Sequence, residues 1–227
     1  MDKKAMIEQS ILEFLSDLKS NNNREWFNKN KKRYETAQQN NLEIAQQLAI
    51  GINAFDKSIS ANTNPKDFIY RIYRDIRFSH DKTPYKTNMG AFFVPGGKKS
   101  GLAGYYLHIE PSGSFISGGI YMAESNVMKA IRNTMVDLSE EFLEIVNEKS
   151  FLKTYTIWDG DFLKRVPYGF DPKSPVAEYL KLKHISPVHQ LKDKEITDKN
   201  VLEKVLEYFS ILYPLINFLN KAIQEEI

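Results

Sequence analysis

Residues 68–93 read FIYRIYRDIRFSHDKTPYKTNMGAFF, and the arrangement of the rest of the chain follows from this stretch. Between Arg71 and Thr87 it carries five permanent cations, Arg71, Arg74, Arg77, Lys82 and Lys86, against two carboxylates, Asp75 and Asp81. Ile72, Tyr73, Ile76, Phe78 and Tyr85 are interleaved with them. The whole chain is only +2, so a +3 segment leaves −1 for everything else. Solvated faces spread their charges. This segment sets arginines among residues that prefer the interior, and a buried arginine is tolerated only when it is paired. Either the carboxylates partner the cations or an anion does.

β-Branched and aromatic residues predict a strand from Phe68 to about Tyr73. If the backbone stays extended to Phe78, Arg71, Tyr73, Asp75 and Arg77 share one face, and Arg74 points the other way with Ile72 and Ile76. Residues 75–87 contain Ser79-His80-Asp81-Lys82-Thr83 and Pro84, which make a turn-rich excursion. Met89 to Val94 is a second strand, closed by Pro95-Gly96-Gly97. Tyr105–Glu110 and Ser114–Tyr121 then form an antiparallel hairpin across Pro111-Ser112-Gly113. Gly118 and Gly119 inside its second strand mark a bulge, close backbone packing or the approach of a ligand.

Outward from this centre the periodicity becomes helical. Met6, Ile7, Ile11, Phe14, Leu15 and Leu18 predict a first helix ending near Lys19, and Asn22 or Asn23 caps a second. The second helix breaks near Asn30 and continues to about Phe55, with a basic start at Arg24, Lys29, Lys31, Lys32 and Arg33. Trp26 and Phe27, two large rings side by side, are predicted to be buried against the sheet. On the other side, Ala123–Val136 and Ser139 to about Glu148 are helical, Pro175–Leu182 is a short helix, and residues 184–196 have no clear period. A last helix begins at Thr197 or Asp198, and Pro214 is predicted to kink or split it. The reading is one α+β domain over residues 1–227: helices over 5–55, a sheet core over 68–122, and helices and loops over 123–227. Its central sheet is mostly antiparallel, flanked by N-terminal and C-terminal helices.

Composition narrows the function classes. At 227 residues the chain is long enough for a sizeable core, and 42% apolar with 26% charged residues is ordinary for a globular protein. The absence of cysteine rules out disulfides, thiolate metal sites and cysteine nucleophiles. No apolar run approaches the roughly 18 residues of a membrane span, and MDKKAMIEQSILEFL lacks the apolar core of a signal peptide; cytoplasmic residence is the expectation, with no membrane partner.

Familiar catalytic signatures do not occur. G-x-G-x-x-G, H-E-x-x-H and G-x-S-x-G are missing, and the glycines of residues 90–100 are spaced wrongly for a phosphate loop. His108 and Glu110 share a strand face at i, i+2, where they form a hydrogen-bonded pair or two metal ligands. With no third ligand evident, no metal site is assigned, and the sequence names no cofactor.

The segment RIYRDIRFSHDKTPYKTNMGAFF resembles the family named only as domain of unknown function 2461. Similar matches run through NNNREWFNKNKKRY (21–34), GYYLHIEPSGSFISGG (104–119) and LKRVPYGFDPKSPVAEYL (163–180). His80 and Ile120-Tyr121 depart from the more typical lysine and leucine-tryptophan-like residues, and neither departure touches the arginines. The resemblance implies a shared single-domain architecture and a shared site. It implies no reaction.

Three readings of the cluster follow. In the first, it is an anion or phosphate pocket, with Arg71, Tyr73, Arg77, Lys82 and Lys86 binding the ligand. Asp75 and Tyr85 are then the candidate catalytic groups: Asp75 as a charged acceptor, Tyr85 as a general acid whose pKa the cations lower. Arg74 with Asp81 is assigned as a structural ion pair. In the second reading, all these residues form an internal ion-pair scaffold, completed by acids such as Glu110 or Asp159. In the third, the basic helix start and the cluster join into a nucleic-acid surface, with Trp26 or Tyr85 as stacking platforms; the near-neutral charge makes this the less favoured partner.

Overall fold

A computed structural model describes residues 5–155, 157–158 and 162–225. Helix α1 (Gln9–Ser20) buries Ile11, Leu12, Phe14, Leu15 and Leu18 on one stripe. Asn23 caps α2 (Arg24–Lys29) by accepting from the Trp26 N–H at 2.9 Å. After a break at Asn30 comes α3 (Lys31–Phe55), with Ala37, Ile44, Leu48 and Ile52 facing inward. The buried Asn40 ties α1 to α3: its side chain accepts from Glu8 N–H and donates to the Met6 carbonyl, satisfying groups left over at the helix start. A single turn, α4 (Pro65–Phe68), begins on a proline and leads into the charged stretch.

Three strands follow, β1 (Met89–Phe93), β2 (Gly104–Ile109) and β3 (Phe115–Gly119). Helices α5 (Ser125–Asp137), α6 (Ser139–Asn147) and α7 (Lys149–Thr154) then lead to β4 (Ile157–Trp158). The chain continues through α8 (Ala177–Leu180), β5 (Pro187–Gln190), α9 (Asp193–Ile196) and the long α10 (Val201–Glu225). The strands lie in the order β1-β2-β3-β5-β4, and every pairing is antiparallel. The protein is α+β, with helices before and after the sheet.

Side chains alternate across the sheet as the pleat requires. Ala91, Phe93, Tyr105, Leu107, Ile109 and Ile116 are buried on the helix-covered face. There Phe93 and Tyr105 meet Phe209 of α10, and the Tyr105 hydroxyl donates to the buried Asp56 carboxylate at 2.8 Å. Gly118 lets α10 come this close. A Cβ at that position would stand 2.7 Å from a Leu212 methyl and 3.1 Å from the Gly104 carbonyl oxygen, so of the three explanations for the glycine pair, close packing holds at Gly118. The opposite face presents Gly90, Phe92, Tyr106, His108, Phe115 and Ser117, in the cross-strand rows Gly90–His108–Phe115 and Phe92–Tyr106–Ser117. A cleft opens over this second face, and the site develops there.

The structure differs from the sequence reading in several places. Residues 68–73 do not form a strand; they make isolated bridges at Ile69–Ala91 and Tyr73–Tyr85. The α4 turn takes up Phe68, and the partner arm is two residues too long for a continuous ladder. Helix α10 runs on through Pro214 without splitting, because Phe209, Leu212, Leu215, Ile216 and Leu219 bury a continuous stripe on both sides of the proline. Phe27 is buried, but against α1, α3 and the charged stretch rather than the sheet, and Trp26 is only half-buried beside Phe14. The aperiodic stretch 184–196 contains β5 and α9. Asp159, named as a possible partner acid, lies outside the described residues. Among the described residues, no helix is long and apolar enough to cross a membrane.

Candidate functional site

Residues 69–74 run antiparallel to 84–91 as an irregular ribbon beside β1. Tyr70 N–H donates to Gly90 O at 3.0 Å, Lys86 N–H to Ile72 O at 2.8 Å and Arg74 N–H to Pro84 O at 3.0 Å. Four residues separate the two bridges on one arm and six on the other. The extra length falls between Lys86, still bonded to Ile72, and Gly90, bonded to Tyr70, where the chain bows out of the ladder as a bulge does. Lys86 and Asn88 thereby reach the open side of the sheet.

The turn of the ribbon is pinned to the first helices. Asn22 accepts from Tyr85 N–H at 3.1 Å and donates to Tyr85 O at 2.9 Å, standing in for a strand neighbour. The Tyr85 ring stacks on Phe27, with centroids 4.0 Å apart and planes 12° from parallel. This is the packing that the side-by-side aromatics at the start of α2 provide.

A cleft of about 1030 Å³ lies over the open sheet face. Its floor is aromatic, from Phe92, Tyr106, His108 and Phe115, and one wall carries Tyr70, Lys86 and Lys98. Both ammonium groups rest on the Tyr70 ring, Lys86 Nζ at 5.2 Å and Lys98 Nζ at 5.3 Å from its centroid. Lys98 also donates to the Ile69 carbonyl at 2.6 Å. The Lys86 side chain has no hydrogen bond or ion pair among the described residues. Loss of hydration lowers its pKa, and the charge of Arg71 lowers it further. Burial lowers Lys98 in the same way, with Asp67 working in the opposite direction and Lys86 adding to the fall.

Along the floor runs a hydrogen-bonded chain of side chains two residues apart on one face of β2. The Tyr106 hydroxyl lies 2.9 Å from His108 Nδ1, His108 Nε2 lies 3.1 Å from Glu110 Oε2, and Thr87 donates to Glu110 Oε1 at 3.0 Å. Burial lowers the pKa of His108, against the pull of Glu110, and so favours the neutral ring. An ionised carboxylate only accepts, so the ring proton sits on Nε2. Nδ1 is then a bare acceptor, and the Tyr106 hydroxyl must be its donor. Burial, then Tyr70 and Glu110, raise Tyr106 above its ordinary value. The His108 ring is held in place by stacking on Phe115 at 4.5 Å and 15°.

A family model described as a conserved hypothetical protein (DUF2461) matches residues 10–218, which take in the ribbon, the cleft and most of the helical layer. The chain belongs to the DUF2461 family. No curated protein and no solved structure matches it.

In this DUF2461 chain the cations of the motif part company. Arg74 donates to Asp81 at 2.5 Å, to the Thr83 carbonyl at 3.1 Å and to the Thr83 hydroxyl. Arg77 forks onto Asp75 through Nε at 2.9 Å and Nη2 at 2.7 Å, with most of its side chain in solvent. Lys82 donates to the Ile76 carbonyl at 3.0 Å and is exposed. Arg71, also exposed, makes no hydrogen bond or ion pair among the described residues, yet its charge is felt at both Lys86 and Asp75. Exposure alternates across residues 71–77, with Arg71, Tyr73, Asp75 and Arg77 exposed, Ile72 buried, and Arg74 and Ile76 half-buried, but Arg74 lines the large cleft together with Asp75.

Tyr85 requires a correction. It was expected to titrate low beside cations, but burial raises its pKa, Tyr73 adds to the rise, and only Arg24 opposes it. Its ring lines a separate, smaller concavity of about 350 Å³ with Arg24, Asn28, Tyr73, Arg74, Ile76 and Pro84, away from the sheet floor. Asp75 reaches the rim of the large cleft with its pKa lowered to about 2, chiefly by hydrogen bonds from Arg77. Glu110 serves His108 and Thr87 rather than the arginines.

Sequence reasoning paired His108 with Glu110 but missed Tyr106, although the spacing Tyr106-x-His108-x-Glu110 on one strand face was there to find. Tyr70 and Lys98 carry no such signal, since only the ribbon and the loop after β1 bring them together. Among the described residues, no three His, Asp or Glu side chains converge as metal ligands.

Proposed function

We propose that the cleft over the open sheet face binds a small anionic molecule, bearing a phosphate or carboxylate group, at the wall formed by Tyr70, Lys86 and Lys98. The carrying observation is Lys86: a half-buried ammonium that rests on a ring, has no acid beside it among the described residues, and is repelled by Arg71. A charge held this way is costly when the cleft is empty and becomes favourable when an anion arrives. Phe92, Tyr106 and Phe115 supply an apolar floor for the body of the ligand, as small-molecule sites usually do.

The arginine half of the motif supports the scaffold reading instead. Arg74 with Asp81, and Arg77 with Asp75, are neutralised within the turn. A nucleic-acid stripe gains little support. Lys29, Lys31 and Arg33 each have an acid partner in Glu25, Glu35 and Asp17, which breaks up the basic start of the helices.

The test is a melting screen with phosphate, pyrophosphate, nucleotides, sugar phosphates and dicarboxylates at low and high salt. At least one class should raise the midpoint by mass action, and the gain should shrink with ionic strength. A flat response across all classes would overturn the proposal.

A further inference from the structure

We infer that Tyr106 is a catalytic proton-transfer residue for the hydrolysis of a carboxylic ester in a small molecule that also carries an anionic group, with His108 and Glu110 as its positioning residues. The inference takes the placement of the anionic group from the proposed anion cleft; the proton chemistry stands on the hydrogen-bonded chain alone.

The geometry supports this in three ways. The hydroxyl of Tyr106 gives its hydrogen to His108 Nδ1 at 2.9 Å, which leaves its lone pairs for the cleft that Tyr106 lines. His108 is fixed in one tautomer and orientation by Glu110 at 3.1 Å and by Phe115, and Glu110 is itself held by Thr87. A base oriented by a third group is the arrangement that activates a hydroxyl. Finally, Gly90, diagonal to Tyr106 on the neighbouring strand, makes room for the hydroxyl: a Cβ there would sit 2.6 Å from Tyr106 Oη. The Tyr70 ring that carries both ammonium groups meets the Tyr106 ring edge-on at 6.2 Å, so an anion on the lysines and an ester at Tyr106 can belong to one small molecule.

The step balances with water as the only co-reactant. A water O–H bond breaks as its proton moves to Tyr106 Oη, while the proton of Tyr106 moves to His108 Nδ1. The electron pair left on the water oxygen forms the bond to the ester carbonyl carbon as the carbonyl π pair moves onto its own oxygen, to return when the adduct collapses. When the tetrahedral adduct collapses, the carbon–alkoxide bond breaks, and the alkoxide takes a proton back through Tyr106 from the imidazolium that Glu110 stabilises. Tyr106 and His108 return to their starting states.

The experiment measures hydrolysis of mono-4-nitrophenyl succinate, which carries a carboxylate, and of 4-nitrophenyl acetate, which does not. The wild-type chain should cleave both above the buffer rate, with a lower KM for the succinate. Tyr106→Phe keeps the ring and should lower kcat by about 100-fold or more on both esters. Gly90→Ala, which displaces the hydroxyl, should do the same. A melting midpoint for Tyr106→Phe close to wild type separates lost chemistry from lost fold. His108→Gln supplies a readout that a merely structural role would not move. The wild-type rate should rise with pH as His108 loses its proton, with a midpoint below the ordinary histidine value of 6.5, and this limb should vanish in the variant. The groups facing His108 are Tyr106, Glu110 and Phe115, with Thr87 behind Glu110 and the cations Lys86 and Lys98 beyond Tyr70.

A wild-type rate no faster than buffer on both esters, or a Tyr106→Phe rate equal to wild type, overturns the relay while leaving the anion cleft standing. Equal KM for the two esters, unchanged in Lys86→Met, sinks the anion cleft while leaving the relay.

Discussion

The Lys86 ammonium stands 5.2 Å from the centre of the Tyr70 ring, with no carboxylate beside it among the described residues. A cation held by a ring and repelled by Arg71 should favour unfolding slightly while the cleft is empty. Lys86→Met should therefore leave the empty protein as stable as wild type or raise its stability, the usual exchange between stability and function. The pH dependence has a definite sign. The folded pKa lies below the ordinary 10.5, so between the two the unfolded chain binds more protons and stability rises with pH. The raised tyrosines pull the other way near pH 10 in both proteins, so the readout is the difference: in denaturant unfolding from about pH 8 to about pH 11, wild type should gain stability relative to Lys86→Met.

Phe27 stacks on Tyr85 at 4.0 Å and is 2% exposed, so Phe27→Ala should cost about 3–5 kcal/mol. Trp26→Ala should cost less, since that side chain is only partly buried. Denaturant midpoints for the two variants give the order directly. If the Trp26 variant proves the weaker, the account of how α2 anchors the ribbon is wrong.

Arg74 and Arg77 should behave differently although they lie three residues apart. Arg74 holds Asp81 and both oxygens of Thr83, with its side chain 26% exposed, so Arg74→Gln should loosen the turn and lower the melting midpoint. Arg77 is 76% exposed against Asp75, and ion pairs so open to solvent contribute little. Arg77→Gln should lose less than Arg74→Gln does. Equal losses in the two variants would show that the cluster is one lattice.

Asp75 offers a direct electrostatic check. Its carboxyl is lowered from 3.8 to about 2, mainly by the Arg77 fork. A carboxylate depressed in the folded state contributes stability that is present above its ordinary value and lost as pH falls through about 2. Carboxyl NMR should place the Asp75 titration near 2 in wild type and move it up toward 3.8 in Arg77→Gln.

The elements legible in the sequence were those whose periodicity is local. Helix α1, the break at Asn30, the hairpin of β2 and β3, and α5 with α6 all follow from apolar spacing and turn residues. The alternation across residues 71–77 also needed only extended backbone. The ribbon did not read correctly because its extra two residues, between Lys86 and Gly90, depend on how 84–91 meets 69–74, which no single window contains. Tyr85 was misread for a related reason. Its sequence neighbours are cations, but its spatial neighbour is Phe27, and burial outweighs nearby charge. Lys98 was invisible as a partner of Lys86, because a turn after β1 returns it to the same ring.

Calorimetric titration of pyrophosphate into wild type and Lys86→Met, at low and at high salt, tests the anion cleft most directly. Binding to wild type should be saturable and weaken with salt, and the affinity should fall about tenfold or more in the variant, the loss of one charge-assisted contact. Equal binding to both proteins, or none to wild type at either salt concentration, would contradict it.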